Sequence, residues 1–261
     1  MKPDYKNWMP MGMVLGFTCG AGALLIISIV IALTPIPEAV KKVLLPIVLV
    51  IMALMIFVSV WTFLMHRAFS YNGKRKMSKQ IIEGVASYVK IPDGGNGLDV
   101  GCGSAALTIA CAKRFPKATF TGIDRWGKEY ASFNKVLCMK NSKAEGVSNT
   151  SFMQGDAVKL PFKDETFDAV TSNYVYHNIP SKDRQAILLE TLRTLKKGGC
   201  FAIHDIMSKS KYGDMEAFVE RLKKMGYEEV QIIDTTKGMF MSPFEAHWMG
   251  LTGSALLVGR K

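Results

Sequence analysis

The sequence predicts an α/β domain with a Rossmann-like parallel sheet, preceded by a hairpin of two membrane-spanning helices. Two observations support this prediction. Residues 97–124, GLDVGCGSAALTIACAKRFPKATFTGID, read as strand, glycine turn, helix and second strand, which is the βαβ unit of a parallel sheet. Upstream of this unit, residues 11–33 and 43–65 contain no charged side chain.

The turn of the βαβ unit has the features of a nucleoside-binding site. Gly101 and Gly103 allow positive φ and a close approach of the backbone to a ligand, and the next helix points its free N–H groups at the turn. Asp124 ends the second strand about 20 residues further on, where a carboxylate can accept hydrogen bonds from both ribose hydroxyls. The dinucleotide fingerprint G-x-G-x-x-G is incomplete, because Ala106 stands at its third glycine.

The details of the turn resemble one family of nucleoside-binding proteins. Asp99-Val100-Gly101-Cys102-Gly103-Ser104-Ala105 resembles the D/E-x-G-x-G-x-G motif of class I S-adenosylmethionine (SAM)-dependent methyltransferases, with Ala105 in place of the last glycine. Further segments match that family's pattern in order: Gly122-Ile123-Asp124, Gly155-Asp156-Ala157, Phe167-Asp168-Ala169-Val170 and Leu195-Lys196-Lys197-Gly198-Gly199. The resemblance covers residues 95–207 and implies a seven-stranded sheet with helices on both faces.

The resemblance also implies a cofactor and the residues that hold it. The cofactor is SAM, with Asp124 on the ribose and Asp156 on the adenine amino group. No metal is expected. The cofactor-binding residues carried over from the family's motifs are Asp99, Gly101, Cys102, Gly103, Asp124, Arg125, Gly155, Asp156, Ala157 and Asn173. Trp126 either flanks the adenine ring or packs in the core.

Candidate catalytic residues follow the fourth strand, because ligands of open α/β sheets bind outside the carboxyl ends of the strands. Tyr174 and His177 lie in this segment and can position or deprotonate a nucleophile. A histidine at this place also belongs to the family's general pattern, whatever the acceptor. Asp205, at the end of the fifth strand, either binds substrate or, as we favour, caps the following helix.

The two uncharged runs are predicted to span a membrane. Each would form a helix of roughly 34 Å, which exceeds a hydrocarbon core of about 30 Å. A signal peptide would be shorter, and a soluble core helix would show a polar face. Pro35 and Pro37 end the first helix, so the two helices should be antiparallel neighbours. The heaviest basic flank, Arg67, Lys74, Arg75, Lys76 and Lys79, follows the second run and predicts that both termini and the catalytic domain are cytoplasmic, at the cell membrane.

Gly12, Gly16 and Gly20 fall at four-residue spacing on one face of the first helix. Such a stripe permits close helix packing, either within the hairpin, which we favour, or against another copy of the protein in a homo-oligomer.

The charge and the cysteines narrow the class of protein. The net charge is +11, and much of the excess follows the second apolar run, where basic residues attract anionic lipid headgroups. Because no separate RNA-binding module is visible, a nucleic-acid partner is not expected. The five cysteines include no C-x-x-C pair, so they indicate neither a zinc site nor a disulfide framework.

The predicted organisation is a transmembrane hairpin over residues 1–66, a basic linker with a cofactor-covering helix over 67–94, and a methyltransferase domain over 95–261. Tyr71 in the linker fits either a cofactor contact or an interfacial anchor. Helices are predicted over 79–89 after Ser78, from about 129 to 144, over 182–196 after Ser181, and over 216–225. Later strands are predicted over 150–154, 167–172, 200–206, 229–234 and 254–259, the last two as an antiparallel hairpin.

The sequence constrains the cofactor better than the acceptor. A membrane-held domain and the long apolar loop 235–252 favour a hydrophobic acceptor of quinone or phospholipid type, and the resemblance extends to quinone and lipid methyltransferases. The loop would wall the substrate pocket, dip into the membrane surface or serve as packing. Two alternatives stay open: an enzyme that methylates a soluble metabolite or toxic small molecule, and a SAM-binding sensor without turnover.

Overall fold

The computed structural model of the protein describes residues 2–127 and 132–261. Its contacts divide the chain into two compact units, Asn7–Ser78 and Met1–Lys6 with Lys79–Lys261.

The first unit is a pair of long apolar helices, α1 (Met11–Leu33) and α2 (Glu38–Phe69). Both are long and apolar enough to cross a membrane, judged by length and composition. Helix α2 exceeds the predicted run at both ends, because it starts directly after Pro37 and continues through His66 and Arg67. The two helices pack against each other, with Thr18 Oγ1 and Ser59 Oγ hydrogen-bonded at 2.6 Å.

The glycine stripe of α1 is only partly used inside this pair. A Cβ on Gly20 would collide with the Met55 side chain of α2, whereas Gly12 and Gly16 have open space within 4 Å. Packing within the hairpin therefore explains Gly20, and a homo-oligomer through the stripe stays a prediction.

The second unit is built on a seven-stranded sheet of order β3-β2-β1-β4-β5-β7-β6, which confirms the predicted fold class. Strands β1 to β5 pair in parallel, and β7 runs antiparallel between β5 and β6. The strands are β1 (Asn96–Val100), β2 (Thr119–Asp124), β3 (Thr150–Gln154), β4 (Phe167–Asn173), β5 (Leu195–Ile206), β6 (Glu228–Asp234) and β7 (Ser254–Arg260).

Helices on this sheet bury its apolar faces. They are α3 (Met77–Ser87), α4 (Ala106–Arg114), α5 (Lys135–Ala144), α6 (Arg184–Arg193), α7 (Lys209–Tyr212), α8 (Met215–Lys224) and α9 (Pro243–Trp248). A buried hydrophobic cluster joins strand residues such as Val170 and Phe201 to Leu188 and Leu192 of α6. The positions 128–131, which include the predicted start of the helix before Ala144, lie outside the described residues.

Several predicted boundaries are wrong, each for a local reason. Helix α6 starts after Asp183, not Ser181, because the Asp183 carboxylate accepts the N–H of Ala186 at 2.9 Å. Strand β5 begins five residues before the predicted Cys200, because Leu195 already pairs with Phe167 of β4. Ser78 does not cap α3 from outside; it lies inside the helix and donates to the Phe69 carbonyl oxygen at 2.7 Å.

Candidate active site

The glycine turn after β1 is bonded directly to the end of β2. The N–H groups of Gly101 and Cys102 donate to the Ile123 carbonyl oxygen at 2.7 and 3.1 Å. Gly101 and Gly103 have φ of 74° and 55°, and Ala105 has φ of 70° at the N-cap of α4. The turn thus needs positive φ at three of five positions, and alanine is tolerated at the last.

Asp124 holds this turn in place with its side chain. Its Oδ2 accepts the N–H of Gly103 at 2.9 Å and its Oδ1 accepts the N–H of Trp126 at 2.7 Å. The Trp126 indole N–H donates to the Gly103 carbonyl oxygen at 3.1 Å. Each carboxylate oxygen keeps a lone pair for a further donor. A half-buried carboxylate beside two half-buried glycines therefore fits the ribose of SAM.

Asp99 and Cys102 support the turn from inside the fold. Asp99 is buried and accepts hydrogen bonds from Thr108 Oγ1 at 2.6 Å and Thr171 Oγ1 at 3.1 Å. Burial raises the pKa of Asp99 to about 7. Burial also raises the pKa of the Cys102 thiol well above its usual range, so this cysteine is an inert small residue of the turn.

The other residues expected at the adenine lie along the same sheet edge. Gly155 N–H donates to the Asp124 carbonyl oxygen at 3.0 Å, and a Cβ on Gly155 would press on the Ile123 side chain. Asp156 is exposed and its Oδ1 accepts the N–H of Val158 at 2.9 Å, while Ala157 is half-buried. The Arg125 side chain is exposed, and its carbonyl oxygen accepts from Gln154 Nε2 at 3.0 Å.

Asn173 and Tyr174, at the end of β4, contact a buried histidine that sequence reasoning missed. His204 is fully buried on β5, and its ring nitrogens lie 2.8 Å from Asn173 Oδ1 and 2.9 Å from Thr235 Oγ1. Burial lowers the pKa of His204 to about 3, so its imidazole is neutral and uses one nitrogen as donor and one as acceptor. The Tyr174 ring packs on His204 with centroids 4.7 Å apart.

The Tyr174 hydroxyl is directed at the sheet. It lies 2.8 Å from Ser254 Oγ, and since Ser254 donates to the Leu251 carbonyl oxygen, Tyr174 is the donor of this pair. Burial raises the pKa of this phenol, which opposes a role as a base.

His177 is hydrogen-bonded through Nδ1 to Oδ1 of Asp205. It sits in a 3-10 turn, Tyr176–Asn178, directly after β4. The favoured expectation that Asp205 caps the next helix is wrong: Ser208 precedes α7, and Asp205 instead accepts the N–H groups of the 3-10 turn. The position of Asp205 at a strand end suggested a role at the ligand edge. It did not identify His177 as the partner, because His177 is 28 residues away in the chain.

Residues before α1 also contact the site, which no sequence signal indicated. Ser104 Oγ of the glycine turn donates to the Tyr5 carbonyl oxygen at 2.7 Å. Asn141 of α5 donates to the carbonyl oxygens of Asp4 and Ser104, each at 2.9 Å, and accepts the Asp4 N–H at 2.8 Å. The cofactor turn is therefore held from one side by the chain's N-terminal residues.

In the described part of the chain, no three His, Cys, Asp or Glu side chains lie close enough together to hold a metal ion.

The apolar residues of the loop before β7 differ in burial. Phe240 and Met241 are buried, with Phe240 against His204, whereas Phe244 of α9 is 75% exposed.

Comparison with known proteins agrees with this geometry. Residues 98–203 match the family described as "Methyltransferase domain". The demethylmenaquinone methyltransferase of Staphylococcus carnosus is 36% identical over 116 residues, which are 44% of this chain and 44% of that protein. The chain thus matches less than half the length of this curated relative.

The solved structures that share the fold include two with TM-scores above 0.5. A geranyl diphosphate methyltransferase in complex with GPP and sinefungin has a TM-score of 0.56 at 13% identity, covering 75% of this chain and 81% of its own. The [4+2]-cyclase SpnF has a TM-score of 0.53 at 20% identity, covering 70% of this chain and 81% of its own. Because one is a methyltransferase and the other a cyclase, these likenesses establish the fold and leave the reaction to the site. The motifs, the sheet order and the family match together assign residues 98–203 to the class I SAM-dependent methyltransferases, with SAM as the cofactor of the domain.

Proposed function

We propose that this protein is a membrane-anchored methyltransferase that transfers the methyl group of SAM to a hydrophobic acceptor of quinone type. The observation that carries this proposal is the 36% identity over 116 residues to a demethylmenaquinone methyltransferase. The name of that relative supplies the acceptor class.

The residues at the cofactor edge suit a reaction in which alignment matters most. Bound SAM would supply an activated methyl group, and transfer needs the acceptor atom in line with it and water excluded. Gly101 and Gly103 would let the backbone approach the cofactor. Asp124 would hold the ribose and Asp156 the adenine amino group. Asn173, the last residue of β4, lies at the same edge of the sheet.

The two apolar helices support a membrane location. A domain tethered at a bilayer meets acceptors dissolved in that bilayer at a raised effective concentration. The basic residues after the second helix favour a cytoplasmic catalytic domain, because cytoplasmic loops are enriched in Lys and Arg. The exposed side chain of Phe244 in α9 supports either the binding of an apolar acceptor or contact with a membrane near the edge of the sheet.

The experiment is a transfer assay with the full-length protein in detergent, SAM labelled in its methyl group, and a total membrane lipid extract or reduced demethylmenaquinone. Label in the organic phase is the expected result. Label confined to the aqueous phase would favour methylation of a soluble metabolite. Bound SAM without any transfer would favour a sensor.

A further inference from the structure

We propose that Asp205 is a positioning residue that orients His177 as the base for the methyl acceptor. This inference rests on the proposed methyl-transfer function, and it adds a role for a residue that the cofactor motifs do not include.

Asp205 is buried, and both oxygens of its carboxylate accept hydrogen bonds. Its Oδ2 accepts the N–H groups of Tyr176 and His177 at 2.8 and 3.2 Å, and its Oδ1 accepts the N–H of Ile206 at 2.6 Å and Nδ1 of His177. Burial alone raises the pKa of this carboxyl, but the hydrogen bonds from His177 and the backbone hold it below its usual range. Asp205 is therefore an anion in the folded protein.

This contact fixes which nitrogen of His177 is available. With Nδ1 directed at Asp205, Nε2 is the nitrogen left for another partner, and no described residue hydrogen-bonds to it. The side chain of His177 is 14% exposed, so a partner can reach the imidazole only from a restricted direction. His177 follows β4 by four residues, at the sheet edge where the ligands of such folds bind.

The turn that carries His177 is itself clamped. Arg184 of α6 donates from Nε to the Tyr176 carbonyl oxygen at 3.1 Å and from Nη2 to the Ile179 carbonyl oxygen at 3.0 Å. The imidazole is therefore held at both its backbone and its Nδ1, which is the arrangement a base needs for a defined geometry.

The ionisable groups that face His177 or its partner Asp205 come from four segments of the chain. They are Asp205 and His204 of β5, Arg184 of α6, Tyr212 of α7 and Tyr174 after β4. Burial keeps His204 neutral, and burial raises the pKa of both tyrosines. Among these groups Asp205 is thus the anion that faces the imidazole. The buried Tyr212 hydroxyl makes no hydrogen bond of acceptable geometry with any described residue.

The proposed step balances without a further reactant. Nε2 of His177 accepts the proton of the acceptor's hydroxyl, and the electron pair set free makes the acceptor nucleophilic. The acceptor atom bonds to the methyl carbon while the carbon–sulfur bond breaks and its electron pair stays on sulfur. Where the acceptor atom is a ring carbon of a reduced quinone, the hydrogen on that carbon then moves as a proton, through solvent, to the ring oxygen, which restores the hydroxyl and the aromatic ring. The protonated imidazole is stabilised by the Asp205 carboxylate and returns its proton to water.

A purely structural role for Asp205 makes a different prediction. An asparagine also accepts N–H groups, so Asp205→Asn retains an acceptor for the 3-10 turn but removes the charge that faces His177. If Asp205 serves only to hold the turn, the substitution should either leave kcat unchanged or change SAM affinity, acceptor KM and kcat together.

The test uses the full-length protein in detergent with labelled SAM and reduced demethylmenaquinone. We expect His177→Gln to lower kcat by about 100-fold or more, with SAM affinity and acceptor KM within about twofold of the unsubstituted protein. We expect Asp205→Asn to lower kcat by about tenfold while SAM affinity and acceptor KM stay within about twofold, because the protonated imidazole loses the neighbouring anion that stabilises it during the transfer. Asp214→Asn is the matched control, since Asp214 also accepts a backbone N–H at a helix start but faces no imidazole.

The outcomes separate this inference from the proposed function. If the unsubstituted protein turns over, the role of the pair alone is overturned when His177→Gln stays within tenfold of it. The same holds when Asp205→Asn leaves kcat unchanged or changes SAM affinity, acceptor KM and kcat together. Bound SAM without turnover by the unsubstituted protein overturns the proposed function and this inference together.

Discussion

Replacing Gly101 with alanine should destabilise the sheet unit through two additive effects. At φ of 74° a non-glycine residue costs about 1–2 kcal/mol. The new Cβ would also lie 2.5 Å from Cγ1 and 2.9 Å from Cβ of Val175, and such overpacking costs about 1–3 kcal/mol. The expected loss is about 2–5 kcal/mol, a large share of the 5–15 kcal/mol that holds a typical domain.

Gly94→Ala is the matched control for this substitution. Gly94 has φ of 76° but nothing within 4 Å of its would-be Cβ, so it reports the backbone strain alone, about 1–2 kcal/mol. Adding Val175→Ala to Gly101→Ala removes the two methyl groups that collide and should recover part of the difference. Urea unfolding of the full-length protein in detergent, followed by near-ultraviolet circular dichroism, measures each value. A Gly101→Ala cost no larger than that of Gly94→Ala would refute the packing argument.

Three further predictions concern other parts of the chain. Burial raises the folded-state pKa of Asp99 from 3.8 to about 7. The protonated carboxyl should therefore stabilise the folded protein below pH 3.8, and about 4 kcal/mol of this stability should be lost as the pH rises toward 7. Asp99→Asn should remove this pH-dependent component from the free energy of unfolding measured with urea across that range. Asn141→Ala should lower the free energy of unfolding by about 1–3 kcal/mol, because the buried Ser104 carbonyl oxygen and the backbone N–H and carbonyl oxygen of Asp4 lose this hydrogen-bond partner; an unchanged urea midpoint would contradict the docking of the N-terminal residues. A cysteine at Thr34 should react with a membrane-impermeant maleimide in intact cells and one at Asn72 only after lysis, and the reverse pattern would contradict the predicted orientation.

The sequence was most informative where structure is local. The glycine turn, the ends of β2 and β3 and the span of α1 follow from residue types within a few positions of each other, and each is found where it was predicted. Helix starts are harder to predict from residue types. Ser181 and Asp183 are both good N-cap residues, and in the folded protein Asp183 is the one that caps α6.

The sequence patterns do not predict contacts between residues that are far apart in the chain. The Asp205 carboxylate pairs with His177 across two adjacent strand ends, and the same residue type at a strand end is also compatible with a helix cap. The docking of Asp4 on Asn141 joins residues 137 positions apart, and the polar residues before α1 have no periodicity that would indicate it. His204 was read as part of a strand, and its burial between Tyr174 and Phe240 depends on the loop before β7.

Equilibrium binding of SAM to the full-length protein and to Asp124→Ala tests the central claim most directly. The unsubstituted protein should bind SAM, and Asp124→Ala should lose about 100-fold or more in affinity, since a ribose donates two hydrogen bonds to a carboxylate worth about 1.5–3 kcal/mol each. Asp93→Ala is the control, because Asp93 is exposed and pairs with Lys117 at the surface. Equal SAM affinity in Asp124→Ala and the unsubstituted protein, or no binding by the unsubstituted protein, would contradict the assignment of this sheet edge as the cofactor site.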